Sequence, residues 1–147
     1  MVIQMMCFLR ETLQGSQTLN VHYVALQDCS PFTTADGSTI REVFNPRNSV
    51  LLNGSLAHAS LEVGQKTARH FHPKAEEIYF ILKGRGLMEV DGEKAELGEG
   101  DAVAISSGAK HQIEALGDEK LEFLCCCAPA YSHEDTVLCE DETGSDN

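Results

Sequence analysis

A chain of 147 residues suits one domain, which at that length buries roughly 70% of its unfolded surface and needs no staples to form a core. The hydrophobic share of 42% is that of a globular protein, while 23 acidic against 11 basic side chains give a formal charge of −12. That balance argues against any partner held by phosphate neutralisation, so neither nucleic acid nor an anionic membrane surface is expected.

Met1–Leu9 is apolar but short and carries no basic leader, so it reads as an edge strand or a terminus rather than a signal peptide or a spanning helix. Residues 1–19 form an N-terminal segment ahead of a β domain over 20–128. Val21–Gln27 is a predicted strand, Asp28–Gly37 a loop marked by Pro31, Asp36 and Gly37, and Thr39–Phe44 a second strand. Ser55–Val63 alternates, with Ala57, Ala59, Leu61 and Val63 on one face and His58, Ser60 and Glu62 on the other, which places His58 in solvent. Thr67–His72, Glu77–Lys83, Gly86–Val90, Lys94–Leu97, Ala102–Ser106, His111–Leu116 and Leu121–Cys127 follow as strands. Asp91-Gly92 is a two-residue hairpin signal and Gly117-Asp118 a second turn. Residues 129–147 form a C-terminal drape, Ala130–Thr136, followed by an acidic tail, Glu140–Asn147, too polar to order itself.

Many short strands at intervals of about ten residues, punctuated by glycine, define an all-β sandwich or barrel. Six cysteines, Cys7, Cys29, Cys125, Cys126, Cys127 and Cys139, are bunched in a way that a disulfide framework is not. They read as reduced thiols of a cytosolic protein, with Cys125–Cys127 serving as small apolar strand residues rather than as a soft-metal or redox site.

Two stretches carry chemistry. His70 and His72, at i and i+2 on an extended strand, point the same way, and Glu76 and Glu77 follow a short corner containing Pro73. Gly100–His111 is a short apolar strand between glycine turns that delivers a third histidine. These stretches resemble the two motifs of the cupin superfamily. The first motif is Gly, five residues, His-x-His, three or four residues, Glu, six residues, Gly; it lies on Gly64, His70, His72, Glu77 and Gly84 without departure. The second is matched at Gly100, Gly108 and His111, with Ser106 in place of its proline and Ala115 in place of its asparagine. The motifs cover about 64–115, and strand patterns extend the likeness to about 21–127.

The resemblance implies a double-stranded β-helix, or jelly-roll barrel, with His70, His72, Glu77 and His111 as metal ligands. Glu77 is preferred to Glu76 because its spacing to Gly84 is the family's, and because it shares a face with Tyr79 and Ile81. Three imidazoles and a carboxylate suit divalent first-row metals: iron, manganese or nickel first, with zinc or copper also compatible. Four protein ligands close a tetrahedral zinc site but leave two positions open on an octahedral ion. A bidentate α-hydroxy ketone, diketone, catechol or dicarboxylate could chelate there and be polarised, or be set beside dioxygen. The family implies dioxygenases, decarboxylases and sugar isomerases, and by analogy a homodimer. The expectation is therefore a metal-dependent enzyme of dioxygenase or decarboxylase type acting on a small oxygenated organic acid or ketone. A small-molecule binding or sensing module and a metal-stabilised structural domain are the alternatives. Tyr79 reads first as strand packing, with a hydrogen-bond donor or acid as its functional alternative, and Arg41 first as a surface strand cation, with an inward substrate clamp as its alternative. Ile81 and Ile113 are expected to line the pocket, and Arg69, Lys74, Lys83 and Lys110 to face solvent.

Overall fold

Period-two alternation gives this chain two inward faces. On β10 (Leu121–Ala128), Leu121, Phe123, Cys125 and Cys127 are buried while Glu122, Leu124 and Cys126 lie between them on the outer side. On β5 (Glu76–Lys83), Glu77, Tyr79 and Ile81 are buried and Glu76, Ile78, Phe80 and Leu82 exposed. The computed structural model describes residues 21–140, so the readings for Met1–Leu9, Cys7 and the tail beyond Glu140 lie outside the described residues.

The remaining strands are β1 (Phe32–Thr33), β2 (Thr39–Phe44), β3 (Ser55–Leu61), β4 (His70–Phe71), β6 (Arg85–Val90), β7 (Glu93–Leu97), β8 (Ala102–Ile105), β9 (His111–Leu116) and β11 (Val137–Leu138). They make two antiparallel sheets, one in the order β1-β2-β3-β10-β5-β8 and one in the order β11-β4-β9-β6-β7. This is the double-sheet jelly roll. Among the described residues there is no α-helix, only 3-10 turns at Leu26–Asp28 and His133–Asp135. Leu61, Ile81, Met88, Ile113, Leu121 and Phe123 form the fully buried centre, each contributing about 1.5–3 kcal/mol by leaving water.

Two turns need their residue types. Asp91 and Gly92, at φ 49° and 88°, close the β6–β7 hairpin in the left-handed region that a two-residue loop demands. Gly84 is the corner at which the chain leaves one sheet after β5 and enters the other at β6. Its φ is 79°, and a Cβ there would stand 2.7 Å from the Lys120 carbonyl oxygen. Only glycine fits.

The structure corrects several expectations. Val21–Gln27 is not a strand: Val21 and Tyr23 are exposed, no strand pairs with the segment among the described residues, and the chain instead makes the Leu26–Asp28 turn. The loop after it contains β1, paired with β2 at Phe32↔Ile40. Thr67–His72 is regular only at His70–Phe71, and Val63 is exposed beyond the end of β3. His58 is buried, because its Nε2 meets Glu122 Oε2 at 2.9 Å across β3 and β10. A cross-strand carboxylate turns an outward histidine into a covered one. Ile81 and Ile113 belong to the core rather than to a pocket wall.

Candidate metal centre and its cavity

The inner faces of β4, β5 and β9 converge on one point. His70 and His111 are direct cross-strand partners, which brings their ring centroids to 4.3 Å. His72 follows two residues after His70 on the same side, and Glu77 enters from the opposite sheet, where it registers with Cys127 and Ile105. Glu77 Oε2 lies 3.2 Å from His111 Nε2 and 3.3 Å from His72 Nε2. All four side chains are buried, and their inward atoms lie within 4.8 Å of one another. Glu76 points the other way, into solvent.

The main chain fixes the state of each imidazole. His70 Nδ1 bonds the Ala68 carbonyl at 2.8 Å, His111 Nδ1 the Ala109 carbonyl at 2.9 Å, and His72 Nδ1 the Asp135 carbonyl at 3.0 Å. A carbonyl oxygen only accepts, so each Nδ1 carries a proton, and whenever a ring is neutral it is the Nε2 lone pair that faces inward. Glu77 Oε2 and His111 Nε2 are buried with no hydrogen-bond partner. Converging lone pairs around an unpartnered carboxylate oxygen call for a cation. The residues fit a divalent metal.

The electrostatics agree. Burial pushes the Glu77 carboxyl upward, but His111 and His72 more than offset it and hold it at about 2, so it stays ionised. Burial, followed by the charge of His111, lowers His70 and keeps that ring neutral. For His72 burial acts downward, yet Glu77 and then Asp135 raise it overall. Second contacts steady the frame: Cys127 Sγ donates to Glu77 Oε1 at 3.4 Å, and the Asp135 carboxylate accepts from the backbone N–H groups of Lys74 and Ala75 at the corner between β4 and β5.

Beside the cluster lies a small cavity that opens to solvent. Tyr79 lines it, and burial raises its phenol well above the usual value. Arg41 does not line it. Ile40 and Glu42 face the cavity, so Arg41 between them takes the other face of β2, where it donates to the Cys29 carbonyl. Strand alternation thus gives Arg41 the place of a cation on the outer face of β2 rather than that of a clamp. The apolar wall is Phe32, Ile40, Leu56, Ala57 and Phe123 in place of Ile81 and Ile113. Arg69 pairs with Glu89 and Lys83 with Glu119, away from the cavity.

Sequence reasoning missed five contributors. Cys125 and Cys127 face the cavity as free thiols raised by burial, which strand alternation from Phe123 would have shown. Tyr131 and Thr136 line it from the segment after β10, and Asp36 from the loop between β1 and β2, with no local pattern to announce them.

Two facing antiparallel sheets that present three histidines and a glutamate from their inner strands define a β-barrel with a candidate metal site. The chain belongs to the cupin superfamily, and the family model described as Cupin domain matches residues 57–127. An uncharacterised protein of Methanocaldococcus jannaschii is 44% identical over 123 residues, covering 84% of this chain and 98% of the relative. An oxalate-binding protein of Thermotoga maritima is 37% identical over 68 residues, 46% of this chain and 56% of that protein. Among solved structures, a predicted oxalate decarboxylase of Thermotoga maritima superposes with a TM-score of 0.66 at 24% identity, covering 74% of this chain and 99% of that one. At that identity the likeness speaks for the fold alone.

Proposed function

We propose that this protein is a metal-dependent cupin enzyme, of dioxygenase or decarboxylase type, that acts on a small oxygenated organic acid or ketone. His70, His72, His111 and Glu77 would hold a divalent first-row ion. The observation that carries the reading is the buried atoms Glu77 Oε2 and His111 Nε2, neither of which has a hydrogen-bond partner, beside a cavity that Glu77, His70 and His72 line. Held by those four residues, a divalent ion would supply Lewis acidity to a substrate oxygen.

The chain's own residues would orient and enclose the substrate. The main-chain carbonyls keep the imidazoles aimed, Tyr79 and Tyr131 stand beside the cluster, and Phe32, Ile40 and Phe123 exclude water from the inner wall. The oxalate-binding relative supports a small ligand rich in oxygen donors.

Elemental analysis of protein purified without chelator or affinity metal tests the reading, followed by oxygen-uptake and decarboxylation screens. Iron, manganese or nickel near one per chain, with turnover of a chelating acid or ketone, is the expected result. Failure to take up metal on reconstitution would overturn it.

A further inference from the structure

Outside the histidine cluster, the charged side chains that line the cavity are acidic. Asp36 and Glu42 face it, and no lysine or arginine does among the described residues. Asp36 is also aimed. Its Oδ1 accepts from Thr34 Oγ1 at 2.5 Å, Ser38 Oγ at 2.7 Å and the Ser38 N–H at 2.9 Å. Its backbone carbonyl accepts from the Ala68 N–H at 2.7 Å, while Gln65 Nε2 donates to the Gly37 carbonyl at 3.0 Å. The loop is thereby tied to the segment that leads into β4 and His70. With Oδ1 saturated, Oδ2 is left toward the cavity, 4.0 Å from His70 Nε2. It lies outside the compact set of four candidate ligand atoms, so Asp36 flanks the cluster without completing it.

We infer, resting on the metal reading above, that the cavity selects a neutral hydroxyl-bearing carbonyl compound, such as an α-hydroxy ketone, over a carboxylate of the same shape, with Asp36 Oδ2 accepting the ligand's hydroxyl. A divalent ion balanced by Glu77 keeps one positive charge, and the carboxylates of Asp36 and Glu42 outnumber it. A bound carboxylate would meet like charge in a partly dry cavity with no cationic side chain to pair with. A hydroxyl placed there instead donates a charge-assisted hydrogen bond to an acceptor already fixed in position. The apolar body of such a ligand has Phe32, Ile40, Leu56 and Phe123 to rest against.

The test uses nickel-loaded full-length protein of measured metal content, titrated calorimetrically with 2-hydroxyacetophenone and with phenylglyoxylate. The two probes share a phenyl ketone and differ in carrying a hydroxymethyl group or a carboxylate. The hydroxy ketone is expected to bind roughly tenfold more tightly or better, the size of a hydrogen bond to a charged group. Asp36→Asn keeps an oxygen for Thr34 and Ser38 while replacing Oδ2, and it should close that gap with nickel content unchanged. Glu42→Gln should raise phenylglyoxylate affinity by roughly threefold while leaving the hydroxy ketone alone, because it removes charge without touching the acceptor. Equal affinities in the wild type, or an unchanged gap in a nickel-loaded Asp36→Asn, would overturn the selectivity and leave the metal site standing. If Asp36→Asn does not fold, an unchanged ratio in Glu42→Gln overturns it instead. Wild-type protein that takes up no nickel defeats the metal reading, and the selectivity with it.

Discussion

The two sides of the cavity are built by different means. On one, the imidazoles of His70 and His111 stand on paired strands and are fastened by main-chain carbonyls two residues away in sequence, so their orientation is part of the sheet. On the other, Asp36 stands on a loop and is fastened by the hydroxyls of Thr34 and Ser38 together with the Ser38 N–H. Backbone fastening gives geometry that mutation of neighbours does not change, whereas side-chain fastening can be altered one hydroxyl at a time. The first suits an ion with strict coordination demands, and the second suits a ligand contact.

Variants can break that contrast at its strong side first. His111→Ala should lower metal affinity by more than about 100-fold, since losing a group that merely supports a ligand already costs roughly 10- to 100-fold. Metal analysis after dialysis is the check, and retained stoichiometric metal would remove His111 from the site. Glu77→Gln keeps the shape but not the charge and should weaken binding by roughly 10- to 100-fold, whereas Glu76→Gln should leave occupancy unchanged. Normal occupancy in the former with loss in the latter would reverse the choice between them.

Acid should act through the same side of the cavity. His72, raised above its ordinary 6.5, takes up a proton first as pH falls, and protonated imidazole cannot ligate. Because that shift is upward, the loss of occupancy on acidification should already have begun before the pH reaches the ordinary histidine value. Glu77, held at about 2, adds no loss until far lower. A titration of bound metal that stays flat to pH 4 would contradict this.

Gly84→Ala attacks the frame rather than the ligands. The new Cβ would meet the Lys120 carbonyl at a residue already in the left-handed region, with an expected loss of about 2 kcal/mol in chemical denaturation. Metal affinity of the surviving fold should be near normal. Asp135→Ala is expected to be the mildest, at about 1 kcal/mol of stability and no more than roughly tenfold in metal affinity. It removes the carboxylate that holds the Lys74–Ala75 corner but leaves the carbonyl on His72.

What was legible in the sequence followed the backbone period. His70, His72 and Glu77 could be placed because alternation and one corner decide where they point, and β9 begins at His111, as its sequence pattern indicates. The same period also speaks against Arg41, whose neighbours Ile40 and Glu42 take the inner face. Val21–Gln27 misled because its Val and Tyr content reports fitness for a sheet and not the presence of a strand beside it. Asp36 was read as turn chemistry, which it is. Its second role arises from the Ala68–Asp36 and Gln65–Gly37 contacts, which join distant parts of the chain and leave no mark on either segment alone.

The carbonyl that orients His72 belongs to a residue 63 positions later in the chain, and β11 secures that segment against β4 only at Val137–Leu138. During synthesis, all four candidate ligands leave the ribosome well before the group that holds one of them at its angle. A nascent chain halted after Cys127 would thus carry every donor atom yet grip an ion loosely through a ring still free to rotate.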